Sequence, residues 1–325
     1  AGPSARTGSE PRPPAGGAHS GADILLRRLF FLSLLLALQC VPAARAAVNV
    51  LACEPEWAAL ALELAGEHAR VSSATTARQD PHHIEARPSL IARARNADLV
   101  VCTGADLEIG WLPLLLRESG NDRIQSGQPG YFEAAQFVRL LEKPVSLDRG
   151  QGDVHAAGNP HLHADPRNLL KVADALAQRL ARVDPARAAH YGARNRDFQS
   201  RMAAAIVRWE TEAAGLRGMP VVVHHKSWTY LADWLGLRVV ADLEPRPGIE
   251  PSVASLSALL ERLKSQPARL ILRAPYQAAK PGEWLAQRAG IPALELPYTV
   301  GGSPAATDLF GLFDDTIGKL KAASR

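Results

Sequence analysis

Ten histidines occur in the 325 residues, and seven of them fall into three short groups: His82-His83, then His155, His161 and His163, and finally His224-His225. Neutral imidazole is the commonest protein ligand of transition metals, so groups drawn from three remote parts of the chain are the pattern of a metal site assembled by folding. A single histidine would signify only a surface or structural residue. Zn²⁺ takes four nitrogen, sulfur or oxygen donors in a tetrahedron, and three imidazoles with one carboxylate would fill that shell. A filled shell binds the ion and does not activate water. Should the carboxylate stand off, the open position would suit a mononuclear zinc hydrolase carrying a bound water and a general base. Other chemistries lose their usual support: the chain has no G-x-x-x-x-G-K-[ST], G-x-G-x-x-G, G-x-S-x-G, H-E-x-x-H or C-x-x-C.

The elements that must position these histidines alternate between short β-rich runs and longer helical stretches, the signature of an α/β chain with mainly parallel sheets. Strands are expected over 48–52, 68–74, 98–103 and 136–141, with PEWAALALELAG and PSLIARARNA as helices that carry Pro near their starts. A helix is expected from Pro166 to Arg182. Beyond it, Tyr191, Phe198, Met202, Ile206 and Trp209 recur seven, four, four and three residues apart, one packed stripe of a long helix joining two lobes. A second α/β unit follows Gly218, from MPVVVHH to a closing helix in ATDLFGLFDDTIGKLKAA. The organisation read from this pattern is an N-terminal extension over 1–46, a lobe over 47–184, a linker helix over 185–217 and a second lobe over 218–325. Each histidine group lies in or beside a loop at a strand end, where open α/β sheets place ligand sites.

Within residues 22–46, ADILLRRLFFLSLLLALQCVPAARA has a basic pair, an apolar run and a small-x-small end, the layout of a secretory signal cleaved near Ala46. The apolar run is shorter than the roughly 20 residues a membrane span needs. Residues 1–21 lack an initiating Met and are set aside from the fold. Discounting five basic and two acidic side chains in residues 1–46 lowers the formal net charge from +4 to +1, which leaves no basic field for nucleic acid or anionic lipid. Of three cysteines, Cys40 goes with the signal. Cys53 and Cys102 each close an apolar run, which suits neighbouring parallel strands carrying either a disulfide, favoured by an oxidising compartment, or two buried thiols.

Four segments together resemble the solute-binding proteins of zinc and manganese ABC importers. They are QDPHHIEARPSLIARARNADLVVCTG, GNPHLHADPRN, VVVHHKSWTYLADWLGL and PGIEPSVASLSALLERLK, in the family's order and covering nearly all of residues 47–325. The resemblance implies two α/β lobes joined by a rigid helix, with the metal held in the cleft between them. Carried across residue by residue, the family's three histidine ligands fall on His82, His161 and His225. Two positions depart from the pattern: Asn159 replaces the Asp before the second ligand, and Lys226 the Asp after the third. The C-terminal carboxylate ligand of the family has no exact counterpart. Tyr298 stands about where it belongs, and Asp308 is the expected fourth ligand, with Glu244 and Glu250 as runners-up and an N-cap of the last helix as the other role open to Asp308.

His83 and His224 adjoin the expected ligands and, as neighbours on extended chain, point to opposite faces. His155 and His163 suit either a small metal-acquisition surface on a Gly-rich loop or solvated loop positions. The function implied is that of a monomeric periplasmic receptor that captures Zn²⁺ and hands it to the membrane permease of an ABC importer. TVGG with DLFGLFDDTI is reminiscent of a branch served by a periplasmic metal chaperone. Alternatives are the hydrolase above, the same receptor with manganese or iron as cargo, and a metal-dependent adhesin. Nitrogen-rich donors favour zinc over manganese, and affinity is expected to fall as pH drops through roughly 6.5, because ligating histidines must be neutral.

Overall fold

Runs such as VNVLA, LVVC, PVVV and LILR are apolar on both faces, as strands covered by helices on two sides must be. In the computed structural model, which describes Gly2, Gly8 and residues 46–144 and 155–324, they form two four-stranded sheets. The first contains β1 (Val48–Ala52), β2 (Ala69–Ser73), β3 (Leu99–Cys102) and β4 (Tyr131–Glu133) in the order β2-β1-β3-β4. The second contains β5 (Pro220–Val223), β6 (Arg238–Asp242), β7 (Leu270–Arg273) and β8 (Ala293–Glu295) in the order β6-β5-β7-β8. Every pairing is parallel. In each sheet the second strand lies to one side of the first and the third to the other, so a topological switch point opens at the carboxyl ends of β1 and β3, and again at those of β5 and β7. The signal segment expected over 22–46 falls, Ala46 excepted, outside the described residues.

The crossovers are α1 (Pro55–Ala65), α2 (Pro88–Arg95) and α3 (Leu112–Ser119), each with Pro at its start, then α4 (Pro166–Val183) and α5 (Ala188–Glu212). Asp165 caps α4, its carboxylate accepting the Arg167 N–H at 2.8 Å. The second unit adds α6 (Thr229–Leu235), α7 (Val253–Ser265), α8 (Ala279–Ala289) and α9 (Leu309–Ala323). No helix among the described residues is long and apolar enough to cross a membrane.

Two local readings are corrected. The strand expected over 136–141 lies earlier, as β4, and residues 134–137 form a 3-10 turn. Gly130 explains the shift: a Cβ there would stand 2.4 Å from the Arg123 carbonyl, so only glycine lets the chain come this close before pairing with β3. The apolar spacing that suggested a strand belongs to irregular chain, with Val138, Leu140 and Leu141 packed on the core. Helix α3 is an addition to the helices expected from the sequence.

The long helix behaves as expected. Tyr191, Phe198, Met202, Ile206 and Trp209 are all buried, and the 25 residues of α5 span about 37 Å at 1.5 Å per residue. One continuous core joins residues of both sheets with α1, α4, α5 and α9. Helix α9 returns to this helical layer: Phe313 meets Trp209 with ring centroids 5.1 Å apart, and the Trp209 indole N–H donates to Asp314 at 2.6 Å. Large side chains buried this completely contribute about 1.5–3 kcal/mol each, so the junction is packed core rather than a solvent-bridging strut. Cys53 and Cys102, at the ends of neighbouring strands, are joined in a disulfide, the first of the two arrangements open to them.

Candidate metal centre

Each expected histidine ligand hangs from the carboxyl end of a strand. His82 lies in the loop after β2, His161 in the segment that follows β4 and leads into α4, and His225 two residues past β5. The structure brings these three together: one ligand atom from each lies within 4.8 Å of the other two. The ring centroids are 5.3 Å apart for His82 and His161, 5.5 Å for His82 and His225, and 5.3 Å for His161 and His225. All three residues are buried.

The two nitrogens of each ring have different surroundings. Nδ1 of His82 is 2.6 Å from Asp80 Oδ1, Nδ1 of His161 is 2.6 Å from the Tyr298 hydroxyl, and Nδ1 of His225 is 2.7 Å from Glu244 Oε2. A carboxylate only accepts, so the neutral rings of His82 and His225 donate Nδ1–H and carry their lone pair on Nε2. Those second nitrogens face inward. Nε2 of His161 and His225 stand 3.3 Å apart, and Nε2 of His82 is buried without a hydrogen-bond partner. Converging lone pairs repel unless a proton or a cation sits among them, whereas a tetrahedral ion with Zn–N near ~2.0–2.1 Å requires this kind of spacing. Outer partners that fix tautomer and ring direction complete the arrangement.

Tyr298 belongs to this outer set. It is buried, and burial beside Tyr276 and Glu56 raises its pKa well above 10, so its hydroxyl keeps its proton. Burial, then repulsion from His225 and His82, holds His161 well below the usual histidine pKa. Proton competition at this ring therefore sets in at lower pH than the expected 6.5. Asp80, despite partial burial, is held below its ordinary value by the His82 hydrogen bond.

Asp308, the expected fourth ligand, is not brought to the three histidines. It is exposed at the N-cap of α9, where its carboxylate accepts the Gly311 N–H at 2.8 Å. A short side chain engaged with the first turn of its own helix satisfies an orphan N–H there, the other role the sequence left open. Glu244 stands against Nδ1, on the outer side of His225. Glu250 is exposed and, with Asp80, His83 and Tyr276, lines a cavity of about 200 Å³ beside His82 and His225.

His82 is buried and His83 exposed, the opposite facing expected of neighbours. His163 is neither a surface nor a solvated position: it is 1% exposed, with Nδ1 3.1 Å from Glu56 Oε1 and Nε2 2.9 Å from the Tyr298 carbonyl. It braces the segment carrying Tyr298. Asn159 explains its departure from the family's Asp. Its Oδ1 accepts the His161 N–H at 2.9 Å while its Nδ2 donates to the Lys226 carbonyl at 2.9 Å, a bond across the cleft that a carboxylate could not make. Tyr298, Glu56 and His163 are not recognisable from sequence as supports, because nothing in local spacing pairs residues as remote as His161 and Tyr298. Only Asp80, two residues before His82, left a local signal.

A second buried group lies at the strand ends of the first sheet. The other cluster of potential ligands among the described residues, Cys53, Cys102 and Glu108, is closed to metal because both sulfurs are in the disulfide. Glu108 accepts the Thr103 and Gly104 N–H groups at 2.7 and 3.0 Å, and Glu54 accepts the Thr103 hydroxyl at 3.0 Å. Burial raises Glu108 to about 7 and, with repulsion from Glu108 and Glu56, raises Glu54 well above its ordinary value. A carboxyl that stays protonated when folded loses stability as pH rises above its unfolded pKa. Glu54→Gln, neutral at every pH, is therefore expected to gain on the wild type as pH rises above the ordinary carboxyl range, by up to about 1.4 kcal/mol per pH unit. Urea unfolding at several pH values reads this out, and parallel curves for the two proteins would refute it.

A family model described as "ZnuA: Zinc-uptake complex component A periplasmic" matches residues 50–323. The chain is similar to the zinc-binding lipoprotein AdcA of Streptococcus pneumoniae, 25% identical over 240 residues that cover 70% of this chain and 45% of that protein. It is also similar to the manganese ABC transporter substrate-binding lipoprotein scaA of Streptococcus gordonii, 25% identical over 147 residues, 44% of each. The chain thus spans less than half the length of these curated relatives. A crystal structure of ZnuA superposes with a TM-score of 0.70 at 22% identity, covering 85% of this chain and 98% of the other, which shows the shared fold. With the family model spanning most of the sequence and both α/β units, the chain belongs to the ZnuA family of zinc-uptake components.

Proposed function

We propose that this protein is an exported receptor that captures Zn²⁺ between its two α/β lobes and delivers it to the membrane permease of an ABC importer. The observation that carries the reading is the inward convergence of Nε2 from His82, His161 and His225, each ring held from behind by Asp80, Tyr298 or Glu244. Those donors are imidazoles of borderline softness, which suit zinc better than the oxygen-rich shells preferred by manganese. Asp80 and Glu244, one atom behind the ligands, balance the charge of a divalent ion without occupying its shell. Membership of the ZnuA family supports a transport role over the hydrolase alternative, and both carboxylates nearest the ion are committed to histidine N–H groups rather than to a water. Periplasmic residence after cleavage near Ala46, a monomeric state and loading by a metal chaperone belong to the same reading.

The test is metal content of the purified chain after equilibration with equal concentrations of Zn²⁺ and Mn²⁺, followed by competition with a chelator of known affinity. One zinc per chain, retained against excess manganese, is the expected result. Stoichiometric manganese with zinc excluded would transfer the cargo assignment to manganese, and uptake of neither ion would end the receptor reading.

A further inference from the structure

Three imidazoles leave a tetrahedral ion one donor short, and the expected carboxylate does not arrive. Asp308 is exposed and caps α9. Tyr298 bonds Nδ1 of His161, on the side of that ring away from the ion, so it cannot also enter the shell. Asp80 and Glu244 stand behind His82 and His225 in the same way. One nitrogen beside the cluster remains. Nε2 of His155 is buried and has no hydrogen-bond partner, the same condition as Nε2 of His82.

The geometry points to His155 as the fourth metal ligand, completing an all-imidazole shell with His82, His161 and His225; this rests on the metal-receptor reading above. The His155 ring lies 5.3 Å from that of His82, a separation equal to those among the three ligands themselves, and 6.4 Å from that of His161, about 1 Å beyond them. The His155 nitrogens do not lie within 4.8 Å of all three other ligand atoms, so ligation requires the ring to move inward. The backbone around it is already tied down: Ala156 donates its N–H to Asp106 Oδ2 at 3.2 Å, and Gly158 donates to the His155 carbonyl at 3.1 Å. Asp106 itself sits at φ 66°, a conformation rarely held by residues other than glycine, in the segment where Gly104 and Ala105 also have positive φ. Four neutral nitrogens around the ion, with the two carboxylates outside, form a donor set still more selective for zinc over manganese than three nitrogens and one oxygen.

The test uses the full chain with Zn²⁺ and Co²⁺ as probes. His155→Ala is expected to keep one zinc per chain, on the three remaining imidazoles, with affinity lowered about 100- to 1,000-fold, the worth of one of four donors. Loaded with Co²⁺, the His155→Ala protein is expected to show visible ligand-field bands changed from those of the wild type, because a solvent oxygen replaces the fourth nitrogen. A His155→Ala protein with wild-type zinc affinity would overturn the assignment, and so would cobalt bands identical to those of the wild type, since a merely structural role leaves the donors on the ion unchanged. Failure of the wild type to bind zinc at all would instead bring down the receptor reading beneath it.

Discussion

Replacing His161 with Ala is expected to weaken zinc binding by about 100- to 1,000-fold. Zinc held by a complete protein shell is bound with about 10–16 kcal/mol, so one of four donors is worth about 3–4 kcal/mol, and each 1.4 kcal/mol is a factor of ten. His161 is the ligand where the loss should be purest. It is 1% exposed, its Nε2 lies 3.3 Å from that of His225, and its Nδ1 is committed to Tyr298. Because the buried ring fills space and partners the Tyr298 hydroxyl, the metal-free variant should also lose some stability, which is read separately from metal affinity. Chelator competition measures the affinity and urea unfolding the fold. Tight stoichiometric zinc in His161→Ala would show that the cluster is not the metal site.

Removing the carboxylate behind His225 should cost less. Glu244→Ala is expected to lower zinc affinity about 10- to 100-fold, the range found when outer-shell partners of metal ligands are lost. Glu244 accepts Nδ1–H of His225 at 2.7 Å and the Gly248 N–H at 2.8 Å, so it fixes the ring's tautomer and ties it to the chain segment beyond β6. Glu244→Gln retains an accepting oxygen but no charge, and should fall between the wild type and the Ala variant. The ordering separates this supporting role from direct ligation: a Glu244→Ala loss as large as that of His161→Ala would make Glu244 a member of the inner shell.

These expectations show how far local spacing carries. The alternation of apolar runs with helical periods was enough for two parallel α/β units, since strands buried on both faces must be continuously apolar and the crossover helices must bury one stripe. The α5 stripe from Tyr191 to Trp209 was legible for the same reason. The strand at 131–133 was not, because its position depends on Gly130 approaching the Arg123 carbonyl, a long-range steric fact without periodicity. His163 likewise carried no mark of its burial against Glu56, more than a hundred residues away in sequence.

For the candidate site, sequence alone singled out the three histidines that the fold brings together and their strand-end setting: His82, His161 and His225 were chosen by residue type, by order along the chain and by the rule that α/β sheets present their loops at carboxyl ends. The tertiary structure decided everything that depends on which atom faces which. It put Asp308 on its own helix rather than on the ion, turned Tyr298, Asp80 and Glu244 to the outer nitrogens, used Asn159 as a tie across the cleft and left His155 with a bare nitrogen at the edge of the cluster. The physical reason is that identity and spacing constrain a residue's neighbours only over a turn or a strand, whereas the direction of a side chain in a cleft is set by packing between elements that meet only when both lobes have folded.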